Sequence, residues 1–516
     1  MPLSFRPPLA RPQRLTPFVV ALASLKLMLP FFIPRPWEFH RDELLYLAMG
    51  DHLDLLRMQF PPLIALAAAA IDGLAGGTVL GTRLAAAIPS TLYLVMAALI
   101  ARDMGGGRRA QVFTALGVLV APIFLRAGIL FQPVVYEQLW WLMSCWALVR
   151  LLREDLPGWW LLLGVAVGLA ALTKFSAAFF ALGLLMAVLF SPLRADLRGP
   201  WPWLALLLAI LVGLPTITGQ MTWSWPFFEQ ARVLRDTQLE RVTPLAFLGG
   251  QLFLLTAAAP FAIVGRAALA AARVLEPWRP LAVLVFVVTS AFLVAGAKDY
   301  YLAPVHGLLV AAGAVALERW IGDRSQRLLV SLAALSMVVV GLVLLPAALP
   351  VLTPDGTVEY LRGLGLARAT ETNRGIQLEL PQDYADMLGW RELAEATRAV
   401  YDSLPADERA RVVIVGTNYG RAGALQRYGP ALGLPAPISR NGDFYHWGPG
   451  DRPGDVAIVV GGSVEALGQV FGSVTLVRTV ANPLGVQEER AVPIFICRDL
   501  AQPLPELWRQ LGPEWG

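Results

Sequence analysis

Asp42 and Glu43 stand side by side in WEFHRDELLYLAMGDHL, directly after the first apolar run of the chain, where a carboxylate can serve as a base. A third carboxylate, Glu137, lies inside the apolar segment FQPVVYEQLWWLM and needs a partner or water there. Cations occupy comparable places: Arg41, Arg57, Arg126, Lys174, Arg232, Arg235, Arg241 and Lys298, several of them tight against the ends of apolar runs. Arginine grips a phosphate in a fork and lysine meets it as a point charge. Such a ring suits a phosphate whose lipid tail stays in a bilayer. Removing a proton from a hydroxyl while stabilising a departing phosphate is the chemistry this set of residues can do.

Each residue also has a plainer reading. Asp42 or Glu43 can cap an amphipathic helix over 43–56, with Glu43 in its first turn. Glu137 can be a structural partner of Arg126. Lys174 can snorkel at a hairpin tip and Lys298 beside Asp299. Arg232, Arg235 and Arg241 read as solvated surface, and His52, His306 and His446 are too scattered to form a metal trio.

The elements that must hold these groups are set by composition. The 516 residues are 56% hydrophobic and 16% charged, with mean hydropathy +0.58 and net charge +4. A soluble domain carries roughly a quarter charged residues, so the chain falls in the membrane class. Cys145 and Cys497 lie in different segments and give no basis for a disulfide framework or a cysteine metal site. Apolar windows fall near 15–33, 82–101, 111–125, 132–151, 157–172, 175–192, 201–218, 246–264, 280–296, 300–317 and 327–346. The first follows Arg6, Arg11 and Arg14, lacks a small-residue cleavage site and is read as a retained span.

Charge parity orients the windows. Arginine-bearing short loops at the N-terminus, 102–109, 150–153, 194–198, 266–279 and 319–327 are placed in the cytoplasm by the positive-inside bias. The stretch 157–192 would be about 54 Å long as one helix against a core of ~30 Å, so it must be a hairpin turning at Thr173-Lys174. The stretch 61–75 would add an odd crossing and is placed on the outer interface. About eleven crossings then leave the tail outside. The transmembrane domain covers residues 1–350, and its outer-face loop 34–81 carries interfacial helices.

The tail, 351–516, changes character. Strand-like runs at 411–416, 455–462, 473–480 and 492–497 alternate with helical patterns at 388–403, 419–428 and 463–471, which predicts a small α/β domain. NYGRAGAL (418–425) opens one of these helices; it reads as a strand–turn–helix connection, with an anion at the helix start as the alternative. No nucleic-acid site is visible.

The ordered set DELLYL (42–47), PPL (61–63), RAG…QP (126–133), LTKFSA (172–177) and KDYYLAP (298–304) resembles the bacterial branch of GT-C type lipid-linked-sugar glycosyltransferases. Its relatives include protein O-mannosyltransferases and the aminoarabinose transferase that modifies lipid A. The resemblance spans about residues 15–346. It implies a polytopic α-helical membrane fold and an inverting transferase that uses a polyprenyl-phosphate sugar at the periplasmic face of a bacterial inner membrane. By the same resemblance Asp42 is the general base and Glu137 the second acidic position, where relatives more often carry Asp. Lys174 and Lys298 match family lysines, and Tyr300 and Tyr301 its aromatic pair. Glu43 and Arg126 complete the implied substrate-binding set. The phosphate-binding lysine of the aminoarabinose branch is replaced here by Gln59-Phe60, which argues against that sugar. No cofactor is implied and a divalent metal is optional. The acceptor, whether lipid, glycan or protein, is left open, and a lipid or sugar flippase is the rival reading.

Overall fold

The computed structural model describes residues 13–154, 156–239, 242–322, 326–366, 370–372 and 374–514. Arg6, Arg11, Arg241, Arg324 and the C-terminal Gly516 lie outside these.

Every apolar window lies on helix. In chain order these are α1 (Pro17–Met28), the loop helices α2 (Arg41–Asp51) and α3 (Leu63–Ala75), α4 (Val79–Asp103), α5 (Arg108–Val120), α6 (Pro122–Ala127), α7 (Pro133–Arg153), α8 (Gly158–Thr173), α9 (Ala177–Leu189), α10 (Trp201–Thr222), α11 (Pro226–Leu234), α12 (Pro244–Leu255), α13 (Ala259–Ala271), α14 (Arg279–Ala295), α15 (His306–Ile321) and α16 (Arg327–Ala348). Among the described residues, six helical stretches are long and apolar enough to cross a membrane: Val79–Asp103, Trp201–Thr222, Pro244–Ala271, Arg273–Ala295, Asp299–Ile321 and Leu328–Ala348. The stretch Asp299–Ile321 is 83% buried across its apolar window and forms the middle of the bundle; Leu328–Ala348, at 11%, runs along the perimeter. An apolar helix buried on one side only presents the rest to lipid. The predicted hairpin is present: α8 stops at Thr173 and α9 starts at Ala177.

The bundle has two distinct ends. At one, the arginine-bearing loops hydrogen-bond to each other. Asp103 pairs with Arg150 at 3.3 Å, and the Glu318 carboxylate accepts the backbone N–H groups of Arg109 and Ala110 at the start of α5. At the other end lie loop 34–81, the α8–α9 turn, the segment before α15 and the tail.

The tail continues with α17 (Pro354–Gly363), α18 (Gln382–Ala385), α19 (Trp390–Ser403), α20 (Ala406–Arg411), β1 (Val413–Gly416), α21 (Tyr419–Tyr428), β2 (Pro437–Ile438), β3 (Val456–Val460), α22 (Val464–Leu467), β4 (Phe471–Ala481), β5 (Ala491–Leu500) and α23 (Leu504–Leu511). The sheet order is β2-β1-β3-β5-β4, parallel across β2-β1-β3 and antiparallel across β3-β5-β4. Two expected helices come out shorter. Helix 463–471 shrinks to α22, because the chain from Phe471 is needed to pair with β5. Helix 43–56 ends at Asp51, just after Gly50 packs against α3 and before His52 stacks on Trp447 at 4.1 Å. The two-residue β2 escaped prediction; it is too short for a period-2 pattern.

Strand side chains alternate faces. Ile414, Ile458, Val460, Ile494 and Ile496 point one way, into a core that also contains Trp390 and Leu393 of α19 and Leu425 of α21. The same core takes in Leu44, Leu47 and Met49 of α2 and Ile64 and Ala68 of α3. Helix α2 therefore packs between α3 and α21 of the tail, and the three share one core. A second core joins Trp37 and Leu130 to Leu349 and Tyr384, tying the entrance of the tail to the bundle.

Candidate functional site

Helix α2 starts with a reciprocal cap. The Asp42 N–H donates to His40 Nδ1 at 3.0 Å and the His40 N–H donates to Glu43 Oε2 at 2.8 Å. His40 is thus the capping residue, and Asp42, whose sequence position also suited a cap, is not. Glu43 is buried and its other oxygen accepts the Phe131 N–H at 2.8 Å. Each of its oxygens accepts a backbone N–H, so Glu43 fixes the start of α2 against the start of α7. Burial pushes its carboxyl up, against the hydrogen bonds of Phe131 and His40.

The Asp42 carboxylate points the other way, and its side chain keeps 31% of its exposure. Oδ1 accepts from Tyr419 Oη at 2.8 Å and Oδ2 from Gln132 Nε2 at 3.1 Å. Around it runs a charged seam between loop and tail. Arg41 reaches Asp386 at 3.4 Å and Glu488 at 2.6 Å, while His40 Nε2 lies 3.8 Å from Asp386 and 3.9 Å from Asp383. Burial pushes the Asp386 carboxyl up to about 6 even though Arg41 and His40 pull it down. Sequence reading flagged Arg41, the QP pair and NYGRAGAL as motifs but could not connect them, since Tyr419 is 377 positions from its partner Asp42.

The second acidic position is settled differently from the pairing that chain proximity suggested. Glu137, one turn into α7 and buried, pairs with Lys174 at 3.2 Å and accepts from Ser176 Oγ. Arg126 turns away, donating to the Ala347 carbonyl at 2.9 Å and pairing with Asp383 at 3.4 Å. The Arg126–Glu137 pair does not form, because the α8–α9 turn brings Lys174 and Ser176 onto the carboxylate first.

Lys174 then lies over the aromatic pair, its ammonium 4.0 Å from the Tyr301 ring centre and 5.4 Å from that of Tyr300. Lys298 lies 6.0 Å from the Tyr300 ring centre and donates to Gln238. Burial pushes the Lys298 ammonium down from its usual value; Asp42 is the first charge that opposes this and Lys174 adds to it. Asp42, Lys174, Lys298, Glu137, Tyr300 and Tyr301 therefore form one neighbourhood. Arg126 touches its edge through Asp383.

Other flagged residues stand apart. Arg57, Arg232 and Arg235 are exposed, and Arg232 pairs with Glu229 at 3.7 Å. His306 bonds Gln251 within the bundle at 2.8 Å. The Arg421 N–H at the start of α21 is already taken by Asn418 Oδ1 at 2.8 Å, which fits the plain connection and leaves that donor engaged. Among the described residues no three or more His, Cys, Asp or Glu side chains are grouped to hold a metal.

Residues 59–218 match the family model described as dolichyl-phosphate-mannose-protein mannosyltransferase. That match takes in Arg126, Gln132, Glu137 and Lys174. No curated protein matches the sequence. Among solved structures, the fold is similar to ArnT from Cupriavidus metallidurans bound to undecaprenyl phosphate, with TM-score 0.59 and 16% identity over 93% of this chain and 98% of that one. The apo form of the same protein gives TM-score 0.57 and 17% identity over 92% and 97%. The Archaeoglobus fulgidus oligosaccharyltransferase in its apo form gives 0.47 and 12% over 81% and 63%. The resemblance to GT-C type glycosyltransferases read from the motifs is borne out, as is a mostly helical membrane fold with a small C-terminal sheet domain.

Proposed function

We propose that this chain transfers a sugar from a polyprenyl-phosphate donor to a hydroxyl acceptor at the membrane face that carries Asp42. The single observation that supports it best is a partly exposed carboxylate, already oriented by two donors, beside two lysines and a tyrosine pair. The acceptor oxygen forms a bond to the anomeric carbon while the bond from that carbon to the phosphate oxygen breaks. The acceptor's proton passes to Asp42, and the lipid phosphate leaves with the electron pair. Attack opposite the leaving group inverts the anomeric centre.

Lys174 and Lys298 stabilise the charge that gathers on the phosphate. An ammonium has three donors, so Lys174 can keep its bond to Glu137 and still offer N–H groups to a phosphate. The similar fold of a protein bound to undecaprenyl phosphate supports a lipid-phosphate donor. The parity of the arginine loops supports a periplasmic site in a bacterial inner membrane.

The test is transfer by the purified full chain, assayed with a panel of polyprenyl-phosphate sugars. Asp42→Asn should lower turnover by orders of magnitude to a small residual rate while donor binding persists, and Lys174→Ala should weaken donor binding. Transfer at the wild-type rate in Asp42→Asn removes Asp42 as the base. Absence of turnover with every donor, combined with lipid movement across vesicles, would replace the transferase by a flippase.

A further inference from the structure

We propose that Tyr419 of the C-terminal domain is a positioning residue for Asp42, so that this domain completes the transfer centre; this rests on the reading of Asp42 as the base. A carboxylate on a surface helix normally samples several rotamers. Here both oxygens are held, one by the Tyr419 hydroxyl at 2.8 Å and the other by Gln132 at 3.1 Å. The two donors come from opposite sides: Gln132 precedes α7 of the bundle, and Tyr419 opens α21 of the tail. Each carboxylate oxygen accepts more than one bond, so a hydroxyl can still approach through the exposed face of the side chain.

The Tyr419 hydroxyl is itself placed with care. Its helix begins at Asn418, whose side chain takes the Arg421 N–H and donates to Glu489 at 2.8 Å. Arg421 bonds the same carboxylate at 3.0 Å, and the Arg41 guanidinium lies 5.6 Å over the Tyr419 ring. Helix α21 then rests directly on α2 through two glycines. A Cβ on Gly420 would lie 2.5 Å from Arg41 Cγ, and one on Gly423 would lie 2.8 Å from Leu44 Cβ. That close approach brings the first residue of α21 within a hydrogen bond of the second residue of α2. Burial, with the charge of Asp42 adding to it, pushes the Tyr419 phenol well above its usual value, so it stays a donor throughout the neutral range.

A tyrosine that merely glues two domains together would affect stability alone. A positioning residue affects the rate at saturating donor, and only while Asp42 is present to be positioned. The experiment uses the full chain in detergent with the donor that wild type turns over. Tyr419→Phe should lower kcat by roughly 10- to 100-fold, the size of one hydrogen bond to a charged group, with donor KM within about threefold of wild type. Gln132→Leu should give a comparable loss from the other side of the carboxylate. In the Asp42→Asn background, Tyr419→Phe should leave the residual rate unchanged. Wild-type kcat in Tyr419→Phe, with Asp42→Asn reduced to its residual rate, would overturn the inference and leave the transferase reading standing. An equal further loss in the Asp42→Asn background would also overturn it. No turnover by wild type with any donor would remove the transferase reading, and with it this one.

Discussion

Asp443 offers a quantitative test of how the tail is seated. It lies buried beside Gln59, the position just upstream of the PPL motif. One oxygen accepts only the Gln59 N–H, at a long 3.4 Å, and Oδ2 has no hydrogen-bond partner among the described residues. Burial therefore pushes its carboxyl up to about 7, with that single backbone bond opposing. In the unfolded chain the group titrates near its ordinary value of about 4. A carboxyl raised on folding favours the native state below the unfolded value and loses that advantage as pH climbs through the folded one. Three decades at 1.36 kcal/mol each give a loss of roughly 4 kcal/mol between about pH 4 and pH 7.

Asp443→Asn removes the titration and keeps the shape. The stability difference between variant and parent should then swing toward the variant by about 4 kcal/mol from acid to pH 8, or roughly 10 °C in melting temperature for a unit of this size. His446, half-buried nearby and stacked on Trp223 at 3.7 Å, is pushed down to about 4 by burial, so its own contribution fades as pH falls below the ordinary histidine range. That effect is common to both proteins and cancels in the difference. The assay is thermal unfolding of the detergent-solubilised chain, followed by tryptophan fluorescence at closely spaced pH values. Parallel curves for parent and variant would refute the buried, uncompensated state of Asp443.

Three further outcomes follow from particular contacts. Glu137→Ala leaves Lys174 without its buried partner and should cost about 3 kcal/mol in stability, while adding Lys174→Met should recover some of it; strictly additive losses in thermal unfolding would show that the two do not interact. Gly423→Val forces a side chain against Leu44 and should cost about 1–3 kcal/mol, loosen α21 from α2 and raise protease cleavage of the tail; an unchanged digestion pattern would contradict the close packing. A cysteine at Glu465, on the tail surface, should react with an impermeant maleimide in intact cells, whereas one at Arg109 should not; the reverse pattern would overturn the assigned topology.

Much was readable without coordinates. Near-continuous apolar runs, interrupted by arginines and prolines, specify helices because backbone groups in lipid must satisfy themselves within the segment. Period-2 runs of Val and Ile in the tail specify strands for an equally local reason. The ordered motifs marked Asp42, Glu137, Lys174, Lys298 and the tyrosine pair, and the fold brings those residues into one neighbourhood. Length alone forced the hairpin at Lys174.

What tertiary structure decided was which charge meets which. Sequence reading offered Glu137 two roles, contact with substrate or a pairing with Arg126, its neighbour along the chain. The fold gives it Lys174 and Ser176, because the α8–α9 turn packs against the start of α7. A helix cap was the lesser reading of Asp42, and the fold gives that role to His40. Local sequence carries caps, turns and periods, since these depend on residues three or four apart. The bond from Tyr419 to Asp42 depends on two glycines letting one helix lie against another 377 positions away, and no local pattern records that.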